Sequence, residues 1–237
     1  MSQTCIILAG GLGTRLRGTV PDLPKCLAPI AGEPFLKWQL LSLAERGVNR
    51  FVLALGHGAD FVLGVLNQPW ANSLSIVTIV EDKLLGTGGA ARFAMHQTGL
   101  DEALIANGDT FLGGSLQEMF SPIDLASGEL MRIATVQVAD RSRFGGLVVN
   151  REQQVISFLE KGTNCAGTIN AGLYRINLRA FDGQDPGSFS METQLMPLLV
   201  TKNALQARVL AGPFIDFGSP DDYHLFNNRV HDFLHQA

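Results

Sequence analysis

Three glycines fall close together at Gly10, Gly11 and Gly13, and Thr14 and Arg15 follow at once in "GGLGTRL". Glycines can take positive φ, so the N–H groups of such a stretch can converge on one concavity and cradle an anion. Arg15 adds a fork of donors that can bridge phosphate oxygens. Further along, "PKCLAPI" sets Lys25 behind Pro24, which stiffens the segment. A lysine there can reach a phosphate held by the glycines. Taken alone, the same residues also fit a tight turn with a solvated arginine and a surface lysine. The dinucleotide fingerprint would need a glycine where Leu16 stands, and a Walker loop would need Gly-Lys-Ser/Thr, which is absent. Two aspartates have a similar double reading. Asp109 in "NGD" closes the apolar run "EALIA", and Asp216 in "PFIDFGSP" stands before a helix start. Paired carboxylates can hold Mg²⁺ completed by water and substrate phosphates. Separately, they are a turn residue and a helix-entry residue.

Composition narrows the setting. The chain of 237 residues is 46% hydrophobic and 17% charged, against about 25% charged in a typical globular domain, so it can bury a sizeable core. A net charge of −4 without any run of like charges argues against nucleic-acid binding, which relies on clustered Lys and Arg. Cys5, Cys26 and Cys165 are dispersed and odd in number, which suits reduced thiols rather than a disulfide framework or a zinc knot. No basic leader precedes the first apolar run, and no stretch approaches the ~20 apolar residues that span a bilayer. The expected address is the cytoplasm, with no membrane partner. His57, His96 and His224 are scattered, and His231 and His235, though four apart, lie at the chain terminus, so all five read as surface residues.

The elements that must hold these groups are visible as alternating patterns. "TCIILA", "RFVLAL", "LSIVTIV" and "EALIAN" are near-continuous apolar runs, as expected of strands buried on both faces. Between the first two, "EPFLKWQLLSLAERG" repeats Leu36, Leu40 and Leu43 at helical spacing, with Pro34 suited to a first turn and Gly47 to a C-terminal cap. Repeated strand–helix–strand units predict a parallel sheet with helices on both faces and ligands beyond the carboxyl ends of the strands. In the second half "LMRIATVQV", "GGLVVN", "QVISFLE" and "TINAGLYRIN" predict a β-rich elaboration on the same sheet. "SPDDYHLFNNRVHDFL" predicts a last helix, with Ser219 as N-cap, Pro220 at the first position and Asp222 closing a capping box. With no internal repeat or linker, residues 1–237 are expected to form one α/β domain, a Rossmann-like three-layer sandwich around a mostly parallel mixed sheet.

The combined pattern "GGxGTRL…PKxLxPI" resembles the sugar-1-phosphate nucleotidyltransferases. These enzymes join a nucleoside triphosphate and a sugar 1-phosphate into a nucleotide sugar and release pyrophosphate. The resemblance continues in the family's order through "LGTGGA", "NGD", "FGG", "FLEK", "NAGLY" and "IDFGSPDDY", and so covers nearly the whole chain. "LGTGGA" and the length look most like guanylyltransferases acting on D-glycero-α-D-manno-heptose 1-phosphate and their mannose-1-phosphate relatives. The sequence departs from them at Lys83 and Leu84, where relatives often carry an acidic residue and proline.

The resemblance implies a nucleotide site of Leu8, Gly10, Gly11, Gly13, Thr14, Glu81, Gly86, Thr87 and Gly108. It implies a Mg²⁺ ion on Asp109 and Asp216, and catalytic cations at Arg15, Lys25 and Lys161. For the sugar phosphate it implies Gly145, Glu160, Lys161, Asn170 and Gly172. Within "LGTGGA", Gly86, Gly88 and Gly89 are expected to bring backbone close to a flat base. Glu81, an acceptor-only side chain, suits the adjacent N1–H and N2–H donors of guanine and therefore GTP. In a regular strand Glu160 and Lys161 would project to opposite faces, so both entering one site would need a twist or bulge.

With both reactants anionic, the expected catalysis is positioning and charge neutralisation during in-line attack on the α-phosphorus. A uridylyl-, cytidylyl- or thymidylyltransferase is the alternative within the family. A non-catalytic regulatory subunit is the alternative outside it, though that would be expected to lose Arg15, Lys25 or Asp109. A dehydrogenase would need the missing glycine and an acidic residue ending the second strand. Homodimer and monomer are both open.

Overall fold

Strand β1 (Thr4–Leu8) is apolar in every direction because both faces of it are covered: Cys5 and Ile7 face one layer, Ile6 the other, and all three are fully buried. It is the centre of a computed structural model that describes residues 3–11 and 23–235. A small ribbon follows, β2 (Pro29–Ile30) with β3 (Glu33–Pro34), and leads into helix α1 (Phe35–Glu45). Pro34 is its N-cap residue rather than part of its first turn, and Gly47, at φ +104, follows its end. Then come β4 (Arg50–Leu55), α2 (Ala59–Leu66), β5 (Ile76–Val80), α3 (Gly86–Thr98) and β6 (Glu102–Asn107). The spatial order is β6-β1-β4-β5 with every pair parallel. Leu36 and Leu40 of α1 and Val62 of α2 pack with Cys5, Ile7 and Leu53, whereas Ala91, Ala94 and Met95 of α3 pack with Ile6, Val52 and Ile105. Helices thus cover both faces, and the three layers follow from the double-sided burial of the strands.

The second half runs through β7 (Thr110–Leu112), α4 (Gln117–Phe120), β8 (Met131–Val138), β9 (Gly146–Val149), β10 (Val155–Leu159) and β11 (Gly167–Asn177). It ends with α5 (Met196–Thr201), β12 (Leu205–Val209), β13 (Phe214–Asp216) and α6 (Pro220–His235). Strand β11 joins the two halves. Its start lies between β8 and β9, and after the register shift at Asn170–Tyr174 its end pairs with β6. In the resulting nine-stranded sheet, β10 and β11 run against all the others. The sheet is therefore mixed and mostly parallel.

A separate aromatic core holds the last helix. Phe226 and Phe233 of α6 pack with Phe35, Phe111 and Phe217, with Phe35 and Phe217 only 4.4 Å apart between ring centroids. This core fixes the antiparallel ribbon of β7 and β13, in which Asp216 pairs with Thr110. The capping box expected at α6 is made only in part. The Asp222 N–H reaches the Ser219 hydroxyl at 3.4 Å, but the Asp222 carboxylate accepts from that hydroxyl at 2.6 Å and from the Arg143 guanidinium. A cation brought by another loop has captured the carboxylate, and tertiary contact overrides the local motif. Among the described residues, no helix is long and apolar enough to cross a membrane.

Candidate active site

The parallel strands stop at one edge, and a cleft of about 500 Å³ opens there. Leu8, Gly10 and Gly11 line it from the end of β1, Gly108 and Asp109 from the end of β6, Glu81 from the end of β5, Gly86 and Thr87 from the start of α3, and Lys25 from the turn after Pro24. The position is where an open α/β sheet presents ligands. Gly108 lets the two central strands end side by side, since a Cβ there would lie 2.5 Å from the Leu8 carbonyl oxygen. Gly13, Thr14 and Arg15 lie outside the described residues.

Lys25 begins a single 3₁₀ turn after Pro24, and its side chain is 11% exposed. Its ammonium donates to Asp109 Oδ2 at 2.6 Å, stands 3.8 Å from Asp216 Oδ1, and lies 5.5 Å from the centroid of the Phe217 ring. The second oxygen of Asp109 accepts from the Thr110 hydroxyl at 3.3 Å. Two carboxylates brought this close need a cation between them, and here the protein supplies its own. The donor set is all oxygen. Among the described residues no cluster of three or more His, Cys, Asp and Glu could hold a metal by itself. Two carboxylates fit a hard divalent cation that fills the rest of its shell with water and phosphate, and not zinc, which favours nitrogen and sulfur.

Glu81 reaches the cleft with one oxygen engaged: Oε2 accepts from the Leu85 N–H at 2.7 Å, just before α3 begins. Its Oε1 packs against Gly10 and Gly56, where an added Cβ would come within 2.5 and 2.7 Å of it. Burial raises the carboxyl above its ordinary pKa, and the Leu85 N–H opposes that only in part. Thr87 is also engaged. Its hydroxyl donates to Glu192 at 2.7 Å and accepts from the Met191 N–H at 2.8 Å.

Gly88 and Gly89 are not among the residues that line the cleft. Both are buried and pack against the segment 187–189: a Cβ on Gly88 would lie 2.2 Å from the Phe189 ring, and one on Gly89 2.6 Å from the Gly187 carbonyl oxygen. They are glycine so that α3 can pack against that loop. Glu192 is the acidic wall residue that sequence reasoning missed. It also accepts from the Ser190 hydroxyl at 3.1 Å, and it sits on a π-helical turn (Met191–Leu195) with no motif to single it out.

The residues expected to hold the sugar lie apart from the lining of this cleft. Asn170 and Gly172 form the shift in β11: the Asn170 side chain accepts from the Gly172 N–H and donates to the Tyr174 hydroxyl, both at 2.8 Å. Gly145 lies under the Leu159 carbonyl oxygen, at 3.2 Å for an added Cβ. Strand β10 stops at Leu159, so Glu160 and Lys161 stand beyond it as exposed residues and the alternation of a regular strand does not govern them. Arg143, in the loop between β8 and β9, ties this side to α6 through Asp222. Burial alone would raise the Asp222 carboxyl, but Arg143 and Ser219 hold it below the ordinary aspartate value. Cys5 and Cys26 are buried and Cys165 is exposed, all as free thiols.

Known proteins resemble the chain along nearly its full length. The D-glycero-α-D-manno-heptose 1-phosphate guanylyltransferase of Aneurinibacillus thermoaerophilus is 32% identical over 97% of this chain and 99% of its own. The enzyme of the same name from Campylobacter jejuni is 33% identical over 93% of this chain and 97% of its own. Among solved structures, HddC from Yersinia pseudotuberculosis complexed with GMP-PN superposes with a TM-score of 0.83 at 31% identity, covering 96% of this chain and 99% of that one. The nucleotidyl transferase family profile matches residues 4–232, and with a sheet edge that gathers its glycines, Lys25 and Asp109 around one cleft, the chain belongs to that family.

Proposed function

We propose that the protein transfers a guanylyl group from GTP to D-glycero-α-D-manno-heptose 1-phosphate, releasing pyrophosphate and working in the cytoplasm. The observation that carries the proposal is the Lys25 ammonium held between Asp109 and Asp216, with Lys25 and Asp109 lining the same cleft as Gly10, Gly11 and Gly108. The choice of nucleotide and sugar is supported by the heptose guanylyltransferases that the chain resembles and by the GMP-PN complex of HddC. Glu81 at the cleft wall adds a carboxylate suited to guanine's paired N–H donors.

In this mechanism an oxygen of the sugar phosphate bonds to the α-phosphorus as the bond to the β-phosphate oxygen breaks, in line. No strong base is needed, because the nucleophile is already an anion. Lys25 holds phosphate oxygens once it leaves its carboxylate partners. Arg15 and the glycine backbone hold the departing pyrophosphate, and Lys161 holds the attacking phosphate while Glu160 accepts from sugar hydroxyls. Asp109 and Asp216 would hold Mg²⁺, which when bound neutralises phosphate charge. The deciding experiment measures pyrophosphate release with four nucleoside triphosphates against a panel of sugar 1-phosphates that includes the heptose and mannose. GTP with the heptose should be fastest. A preference for mannose 1-phosphate changes the sugar, and one for UTP or CTP overturns guanylyl transfer.

A further inference from the structure

Gln39 is the side chain on which both carboxylate carriers converge. It projects from α1 and is 4% exposed. Its Nε2 donates to the Asn107 carbonyl at 2.8 Å and to the Thr110 carbonyl at 2.9 Å. These residues bracket Gly108 and Asp109, so the bridge closes across the turn that presents Asp109. Thr110 is also the partner of Asp216 in the ribbon of β7 and β13. One amide therefore fastens to α1 both the turn that carries Asp109 and the strand against which Asp216 is laid.

The chemistry of the position narrows the choice of side chain. Two carbonyls must be met from one point by a neutral group with two donors on a single nitrogen, which a side-chain amide supplies. Glutamate would aim acceptors at both carbonyls, lysine would bury a charge, and an apolar residue would leave both oxygens without this donor. The flipped amide would set Oε1 against the same two carbonyls, which settles its orientation.

We infer that Gln39 is a positioning residue for the Asp109–Asp216 pair. It touches no substrate and acts through the backbone on either side of Asp109. This rests on the proposal above that the two aspartates hold a divalent cation. Outer-shell partners of metal ligands typically change affinity or activity by about 10–100-fold when removed, and a shift of that size is expected here.

The test compares wild type with Gln39→Met, which is close in size and has no donor, and with Asp109→Asn. Mn²⁺ binding is followed by electron paramagnetic resonance with GTP present, alongside kcat, the KM for sugar phosphate and the thermal melt, all below the melting range of every variant. Gln39→Met should weaken Mn²⁺ binding and lower kcat by about tenfold each while leaving the sugar-phosphate KM within about twofold. A lowered melt with wild-type Mn²⁺ affinity and kcat would make Gln39 a packing residue and overturn the inference. If Gln39→Met does not fold, Gln39→Asn keeps the amide but is one methylene too short to span both carbonyls, and the same outcomes apply to it. Asp109→Asn separates the two levels. If it retains Mn²⁺ binding, the metal assignment beneath the inference falls. If it loses Mn²⁺ and Gln39→Met does not, the inference alone falls.

Discussion

The two sides of the site are built differently. On the side proposed to take the nucleotide, the groups are already wired to one another: Lys25 to Asp109, Glu81 to the Leu85 N–H, Thr87 to Glu192. On the side proposed to take the sugar phosphate, Lys161 and Glu160 stand exposed past the end of β10, and neither forms an ion pair among the described residues. The difference follows from electrostatics. Two carboxylates in a partly buried cleft must be compensated before any ligand arrives, so the protein provides the lysine. An exposed lysine and glutamate are solvated by water and need no partner until substrate comes. The proposed nucleotide side is thus prearranged at the level of charge, and the proposed sugar side at the level of backbone, through the shift in β11.

If that contrast holds, the wired side should fail hardest when cut. Asp109→Asn and Asp216→Asn should each abolish Mg²⁺-dependent turnover. Assays across a Mg²⁺ series check this, and a variant with normal rate and normal Mg²⁺ dependence would show that its residue is not a ligand. Arg15→Ala is expected to lower kcat by about 10²–10³, the usual loss when a donor to developing charge is removed. Steady-state kinetics near wild type would reduce Arg15 to a surface residue.

The open side should respond in affinity instead. Lys161→Ala removes one charge-assisted contact, worth about 1.5–3 kcal/mol. It should raise the KM for sugar phosphate by about ten- to a hundredfold, with the melt and the KM for GTP unchanged. A large loss of kcat at normal KM would put Lys161 with the transition-state groups and erase the contrast.

The sequence made the wired side legible only in pieces. Strands β1, β4, β5 and β6 could be read because burial on both faces leaves continuous apolar runs, and α1 because its leucines keep helical spacing. The meeting of Asp109 with Asp216 depends on the pairing of β7 with β13, between segments far apart in the chain, and no local pattern encodes that. Gly88 and Gly89 look like part of a base-binding stretch until Phe189 is seen packed on them. Glu192 belongs to a short turn whose place in the cleft is set by α3. Asp222 reads as a local cap, yet Arg143 from another loop takes its carboxylate. In each case a residue's partner is distant in sequence, and propensity and spacing describe only neighbours.

Glu81 carries the smallest expected effect and probes the boundary between wiring and recognition. Its Oε2 already accepts the Leu85 N–H, but a carboxylate oxygen has a further lone pair, so guanine's N1–H and N2–H can still be met. Inosine triphosphate lacks the 2-amino group and loses one charge-assisted bond, about 1.5–3 kcal/mol. GTP should therefore exceed it in kcat/KM by more than about tenfold, and Glu81→Gln should shrink the gap. The pH dependence has a definite sign. Burial raises the Glu81 pKa above its ordinary 4.5, so protonation, which turns one charged acceptor oxygen into a donor, occurs at a higher pH than in an exposed glutamate. The preference for GTP over inosine triphosphate should narrow as pH falls toward that raised value, and Glu81→Gln should not show the narrowing. The neutral carboxyl is the form that the fold favours, so its contribution to stability is present below pH 4.5 and lost as pH rises through the folded value. Melts of wild type and Glu81→Gln across that range should diverge in slope. Equal use of the two nucleotides by wild type, with parallel melts, would leave Glu81 as a cap for α3 and no reader of the base.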